Sequence, residues 1–550
     1  VTPLPVILVV EGSPDGQACA TDALGAAFGT DFDIRCIASV DQAATLVRRL
    51  RRDDGRLALL LLAADANDTE CADLLGLAVA LFPQARRVAL SREGSKPAPD
   101  DSFADAVLPH AWDEADSAMI PPLVSLVEEW KASAERSHPP VRVIGFQWSA
   151  VAHDAKDFLA RNRVPYLWSD VDTDPAAREE VERRGITPAD LPLLVFPDGS
   201  HLERPDDARI AEKIGLSTEA SAPFYDLIIV GAGPAGLAAA VYGASEGLRI
   251  LVVDRDAPGG QASQSARIEN YLGFPDGLTG GDLARRAVEQ AEKFGVELLV
   301  AREVVALEVD GPYRIVRLDG GDDIAAHTVL LAMGVAWKTL EAPGCHDLVG
   351  SGVYYGAASA EAATFRDQDV YLLGGGNSAG QAALLLARYA RSVTMLALEE
   401  NFDERMSRYL IDRIEAAPSI EMRPCCTVES AAGERNLERI TIRNVNTGEE
   451  ETVAANGLFV FIGAAPETTW LGAAVERDED GYIACGPSIP RRLGHPRRWP
   501  LGREPYMLET SVPGVFVAGD VRAGAVKRVG AAVGEGSVAI QFIHEYLRAR

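Results

Sequence analysis

The sequence predicts an α/β protein of three or four domains, at a soft prior of ~150 residues per domain for a chain of 550. Two glycine-rich strand-to-helix turns and a front segment of five β/α repeats carry that expectation. In the first turn, apolar residues 227–230 read as a buried strand that runs into Gly231-x-Gly233-x-x-Gly236. An alanine-rich helix opening on Pro234 and Ala235 follows, then a second apolar strand at 250–253 that ends in Asp254. Gly231 permits the tight turn, Gly233 lets the backbone approach a pyrophosphate, and Gly236 lets helix and strand pack closely. The helix N-terminus offers N–H groups and a positive dipole to phosphate. Asp254 stands where a carboxylate accepts the ribose hydroxyls of an adenosine.

The second turn repeats this logic as GxGxxA. Strand residues 370–373 lead into Gly374-Gly375-Gly376-Asn377-Ser378-Ala379, a helix at 381–389 and a strand at 393–396. Near the end, residues 514–517 form a strand closed by Gly519-Asp520, with a glycine- and alanine-rich helix at 530–547 behind it. Two such Rossmann-like units and a late Gly-Asp describe a two-dinucleotide flavoprotein. The first site is suited to hold FAD and the second to present a nicotinamide, so that hydride passes between them.

Bulk properties narrow the partners. A net charge of −28 disfavours nucleic acid or an anionic membrane. No apolar run approaches the ~20 residues a membrane span requires. The start, VTPLPVILVVEG, has no basic n-region and its apolar stretch stops at Glu11, which reads as a strand rather than a signal peptide. Seven scattered cysteines without a CxxC suit a reducing cytoplasm and give no disulfide framework or metal site.

Residues 1–132 alternate strands (6–10, 34–39, 57–62, 87–90, 106–108) with helices (17–28, 40–51, 70–82, 120–130), the pattern of a doubly wound parallel sheet. This segment resembles the flavodoxin-like receiver domain of response regulators. Glu11 and Asp15 follow the first strand and Ser91 the fourth, but Ala63-Ala64 replace the phosphoacceptor aspartate and Pro109-His110 the expected lysine. Asp65 comes two positions late. The resemblance implies a pseudo-receiver used for docking or dimerisation. After a polar linker at 131–140, residues 141–215 resemble a thioredoxin- or glutaredoxin-like domain, with Leu191-Pro192 at its proline loop. Ser149 and Ala152 occupy the cysteine positions, and a hydroxyl cannot perform thiolate exchange.

Residues 223–550 resemble bacterial thioredoxin reductase, through GAGPAG, GGQ, the Glu-Asn-Tyr stretch, GGGNSA, Ile462-Gly463-x-x-Pro466 and the Gly-Asp helix. The resemblance implies an FAD domain at 223–338 and 464–550, an NAD(P)H domain at 339–463, and a homodimer. Beyond the residues named above, it assigns cofactor contacts to Gly260, Gln261, Asn270, Ala332, Gly334, Arg528 and Val529. Asp520 is assigned the ribityl chain, and Lys527 with Arg528 the flavin edge.

The family's CxxC falls on Gly356 and Ser359, so the redox disulfide is missing. Tyr354, Tyr355 and Ser359 are then expected to line the vacated space, with Arg528 as a catalytic cation. Residues 397–403, ALEENFD, carry no arginine and three carboxylates, which favours NADH over NADPH, although Ala397 occupies the strand tip. The basic stretch at 491–499 is a candidate clamp for an anionic substrate or an acidic carrier protein. The reading is an FAD-dependent NAD(P)H oxidoreductase that delivers electrons to a small molecule, quinone, dioxygen or carrier protein. The alternative is a regulatory scaffold that uses FAD as a structural or redox-sensing ligand, with front domains that bind a partner. A partner that supplies the missing thiols is a third possibility.

Overall fold

The computed structural model describes residues 4–549, apart from 54, 64–67, 83, 92–105, 111, 113–118, 135–139, 266–267, 275–276, 357–360, 487–488, 490–498 and 500. Ala64, Asp65, Ser359 and most of the basic stretch at 491–499 therefore lie outside the described residues. The chain divides into two units. Unit 1 comprises Val1–Phe146, Arg163–Arg204 and Phe274–Thr279, and unit 2 comprises Gln147–Asn162, Pro205–Gly273 and Gly280–Arg550.

Unit 1 contains a five-stranded parallel sheet in the order Asp33–Ile37, Val6–Val10, Leu57–Ala63, Arg86–Ser91, Ala106–Pro109. This is the 2-1-3-4-5 order of a doubly wound sheet. Val6–Val10 and Leu57–Ala63 are buried along their whole length, as strands covered on both faces must be. At the carboxyl end of the first strand, Glu11 Oε2 lies 2.5 Å from His110 Nε2. Burial pushes the Glu11 carboxyl up, but the Ser13 N–H and His110 outweigh it and the net shift is downward. His110 thus stands directly against Glu11 at this end of the sheet. Unit 1 also holds a mixed four-stranded sheet, ordered Tyr166–Asp170, Val141–Gly145, Leu193–Val195, His201–Glu203. The Leu191-Pro192 peptide is cis.

Unit 2 is built on two larger sheets. Six strands run in the order Glu297–Leu299, Ile250–Val253, Phe224–Val230, Asp323–Leu331, Tyr313–Leu318, Val304–Asp310, with Val515–Val517 also paired to Asp323–Leu331. This half buries Leu227, Ile229, Val252 and Phe516 against the helices Pro234–Ser245 and Val529–Arg548. The second half carries a five-stranded parallel sheet, ordered Val353–Tyr355, Gly457–Val460, Asp369–Leu373, Ser392–Leu396, Ile420–Arg423, and a three-stranded antiparallel one. Between the halves the chain crosses at a short ribbon, where Ala336–Trp337 pairs antiparallel with Ala464–Ala465.

Within the segment 141–215, Gln147–Asn162, which contains the helix Ala150–Arg161, groups with unit 2. It carries polar ties to Ser351, Glu361 and Asp256, each also in unit 2.

Candidate functional site

A cleft opens where the first glycine turn meets the late Gly-Asp strand end. Gly231, Gly233, Pro234, Ala235, Asp254, Gly260, Gln261, Ala332 and Gly334 line it together. Gly519, Asp520, Arg528 and Val529 close it from the C-terminal side. Thirteen expected residues from distant parts of the chain are therefore brought together, with Ser378 from the second turn.

The glycines are there for closeness. A Cβ at Gly231, whose φ is +102°, would lie 2.5 Å from the Ala332 carbonyl oxygen, and one at Gly236 only 1.9 Å from that of Gly231. Gly236 packs beneath the cleft rather than lining it. Gly233 caps the helix Pro234–Ser245 without a side-chain hydrogen bond, so the first-turn N–H groups are left for a ligand. Asp254 accepts hydrogen bonds from the Ala232 N–H at 2.7 Å and the Asp256 N–H at 3.0 Å. Burial outweighs these bonds and raises its pKa, an arrangement that further donors such as ribose hydroxyls would relieve.

Also in the lining, Gln261 Nε2 donates to the Val335 carbonyl at 2.6 Å. Burial raises the Asp520 carboxyl, with the Lys527 charge opposing. Lys527 Nζ donates to the Asp520 carbonyl oxygen and sits 4.2 Å from the Tyr482 ring centroid. The helix Val529–Arg548 has no side-chain cap either, so a second helix N-terminus faces the cleft through Arg528 and Val529. A group bearing a pyrophosphate, a ribose and an uncharged ring system fits this donor set, and FAD is such a group.

Several expected residues lie elsewhere. Asn270 is exposed and outside the lining, because the chain after the Gly260–Gln264 turn leaves the cleft before reaching it. Tyr354 and Tyr355 do not line the cleft. Tyr354 is 3% exposed and packs on Phe459, Phe365 and His153 with centroids 5.2, 5.9 and 5.2 Å away. Burial pushes its phenol far above the ordinary range. Tyr355 Oη accepts the Leu340 N–H at 3.1 Å. Neither phenol is an acid or base for cleft chemistry.

In the second turn, Gly374 (φ +148°) leaves no room for a Cβ beside the Phe461 carbonyl, and Ala379 is fully buried. Asn377 Oδ1 accepts the Ser407 N–H at 2.7 Å, and Gly376 caps the helix Asn377–Leu386 without a side-chain bond. A Cβ at Gly375 would lie 3.2 Å from Glu399 Oε2, and Glu399 Oε1 pairs with Arg405 Nε at 2.9 Å. One of the three carboxylates in 397–403 is thus held against the turn.

Sequence reasoning missed Trp337, Phe461, Gln381 and Leu385, which also line the cleft. Trp337 and Phe461 form an edge-to-face pair with centroids 5.9 Å apart. A Cβ at Gly356, with φ +81°, would lie 2.2 Å from Trp337 Nε1. The space beside Gly356 is filled by an indole rather than vacant. A glycine of positive φ near a tryptophan far along the chain is no sequence signal.

Among the described residues, no helix is long and apolar enough to cross a membrane. Residues 225–536 match the family model of pyridine nucleotide-disulphide oxidoreductases. The Mycolicibacterium smegmatis thioredoxin reductase is 34% identical over 315 residues, 57% of this chain and 94% of that protein. The Mycobacterium leprae bifunctional thioredoxin reductase/thioredoxin is also 34% identical over 315 residues, which span 64% of its length. Among solved structures, the Lactococcus lactis thioredoxin reductase in its FR conformation superposes with a TM-score of 0.53 at 29% identity, covering 59% of this chain and all of that one. The T. acidophilum thioredoxin reductase gives 0.52 at 27%, covering 59% of this chain and 99% of that one.

Proposed function

Because the chain belongs to the pyridine nucleotide-disulphide oxidoreductase family, we propose that it is an NADH-dependent flavoenzyme whose electron acceptor is not a disulfide. When bound, FAD supplies two-electron chemistry, taking hydride from a nicotinamide and releasing the electrons to the acceptor. The first glycine turn and its helix N-terminus hold the pyrophosphate, Asp254 orients the adenosine ribose, and Asp520 orients the chain between phosphate and ring. Lys527 and Arg528 keep positive charge at the cleft, where it favours an electron-rich ring system. Trp337 and Phe461 exclude water from the same space with apolar surface.

The observation that carries the non-disulfide reading is the contact between Gly356 and Trp337. A thiol at position 356 needs a Cβ where the indole nitrogen already sits. For the nicotinamide, Glu399 beside Gly375 supports NADH, since a carboxylate accepts the ribose 2′-hydroxyl and repels a 2′-phosphate. We further read the five-stranded front sheet as a pseudo-receiver and residues 141–215 as a cysteine-free thioredoxin-like segment. Both would serve partner binding within a cytoplasmic homodimer.

The test mixes the protein, reduced by NADH under anaerobic conditions, with oxidised thioredoxin or with a benzoquinone. Reoxidation of the flavin by the quinone and not by thioredoxin is expected. Rapid reoxidation by thioredoxin overturns the reading.

A further inference from the structure

The two halves of unit 2 are joined covalently only through the ribbon of Ala336–Trp337 and Ala464–Ala465. A two-stranded pairing this short is marginal by itself. Yet Ser378, Gln381 and Leu385 of the second half share a cleft with the first glycine turn. Something beyond the ribbon must hold that arrangement.

We propose that the helix Ala150–Arg161 is a positioning strap, which pins the nicotinamide half of unit 2 to its FAD half so that the second glycine turn stays at the cleft. The proposal rests on the reading above, in which hydride crosses that cleft. A helix of this length spans ~18 Å at 1.5 Å per residue, enough for its two ends to serve different halves.

At its N-terminal end the helix grips the nicotinamide half. Ser351 Oγ donates to the Trp148 carbonyl at 3.1 Å, and Gln147 Nε2 donates to Thr364 Oγ1 at 3.3 Å. Gly350 lies so close that a Cβ there would come within 2.6 Å of Ala150 Cα. One turn further on, His153 Nδ1 is 2.7 Å and Lys156 Nζ 3.3 Å from Glu361 Oε1. Glu361 is 2% exposed and Lys156 6%. Removing one member of such a buried group strands the others without compensation, so this end does not lift off cheaply.

At its C-terminal end the helix grips the FAD half. Arg161 Nη1 lies 3.4 Å from Asp256 Oδ2, and Asn162 Nδ2 donates to the Asp256 carbonyl at 3.4 Å. Asp256 is the residue whose N–H bonds Asp254 at the ribose site. One helix therefore ties the loop behind the first fingerprint to the segment just before the second.

The test uses the full-length holoprotein and the variants Glu361→Gln and Arg161→Met, one at each end of the helix. Hydrogen exchange at the ribbon segments is expected to speed up ~10-fold in each variant, while Phe224–Val230 and Asp369–Leu373 keep their protection. The limiting rate of flavin bleaching by NADH should fall by a similar factor, with the half-saturating NADH concentration unchanged. The double variant should add little, because either release frees the same hinge. Unchanged exchange at the ribbon in both variants overturns the strap, and so does loss of protection spread evenly over both sheets. Should Glu361→Gln not fold, Arg161→Met at the more exposed end carries the test. A wild-type protein that NADH does not bleach sinks the reductase reading alone, because the exchange measurement needs no turnover.

Discussion

The two glycine turns share the strand–turn–helix geometry and differ at two places, where the helix packs on the strand and where the acid follows the next strand. In the first, Gly236 packs so tightly that any Cβ would strike the Gly231 carbonyl, whereas the matching position of the second is Ala379, buried with its methyl already accommodated. In the first, the acid sits at the strand tip as Asp254, bonded by two backbone N–H groups. In the second, Ala397 takes the tip and is 1% exposed, and the acid moves on to Glu399, tied to Arg405. The lesson is that the turn is fixed by backbone geometry, while the acid that follows it is free to move along the next loop.

Breaking the first turn should have the largest effect. Gly236→Ala puts a methyl 1.9 Å from a backbone oxygen that cannot swing away. Overpacking of this kind costs ~1–3 kcal/mol or more, and the purified protein should lose its yellow colour. The same methyl is native at Ala379, so Ala379→Gly should leave the visible spectrum intact. Asp254→Ala comes next, removing the acceptor at the strand tip. FAD affinity should fall ~10- to 100-fold, as for a charge-assisted hydrogen bond of about 1.5–3 kcal/mol, measured by flavin release into a filtrate.

Glu399→Ala sharpens the contrast between the sites. The preference for NADH over NADPH, read from kcat/KM for each, should fall ~10-fold or more, with FAD content unchanged. An unaltered preference would return the second acid to the role of a partner for Arg405.

The smallest effect concerns the strap helix and pH. Burial pulls the His153 pKa down, but the hydrogen bond and charge of Glu361 more than offset it, so the net shift is upward from 6.5. Burial likewise pushes Glu361 up, and His153 and Lys156 bring it down to about 2 from 4.5. A raised histidine stabilises fully below 6.5 and loses that contribution as pH climbs through its folded value. A lowered carboxyl stabilises above 4.5 and loses it as pH falls toward 2. The His153–Glu361 tie is therefore strongest between pH 4.5 and 6.5. The melting-temperature gap between wild type and His153→Gln should be wider at mildly acidic than at alkaline pH.

What could be read from the sequence follows the range of the forces involved. The glycine turns, Asp254, Gly519 and Asp520 were legible because their constraints are local: a positive φ, a close backbone approach, an acid at a strand end. The strands themselves were legible as apolar runs such as Val6–Val10 and Leu227 to Val230, buried along their length, while their order within each sheet was not. Tyr354 lies outside the cleft because, although it neighbours the positions of the missing cysteines, its ring packs against Phe365 and Phe459. Asn270 was misplaced because a motif fixes spacing and not the path of a loop. Trp337 against Gly356 and His153 against Glu361 were illegible, since each joins positions with no shared periodicity, and only the folded chain brings them together.

The central claim is that a flavin cleft of this family works here with an indole where a thiol would stand. An anaerobic titration of the yellow holoprotein with NADH, followed through the visible flavin band, counts the electrons directly. One NADH per flavin should bleach the band fully and leave no further capacity to accept electrons. A requirement for two NADH per flavin before bleaching is complete would reveal a disulfide in series with the flavin, and no bleaching at all would deny the hydride transfer.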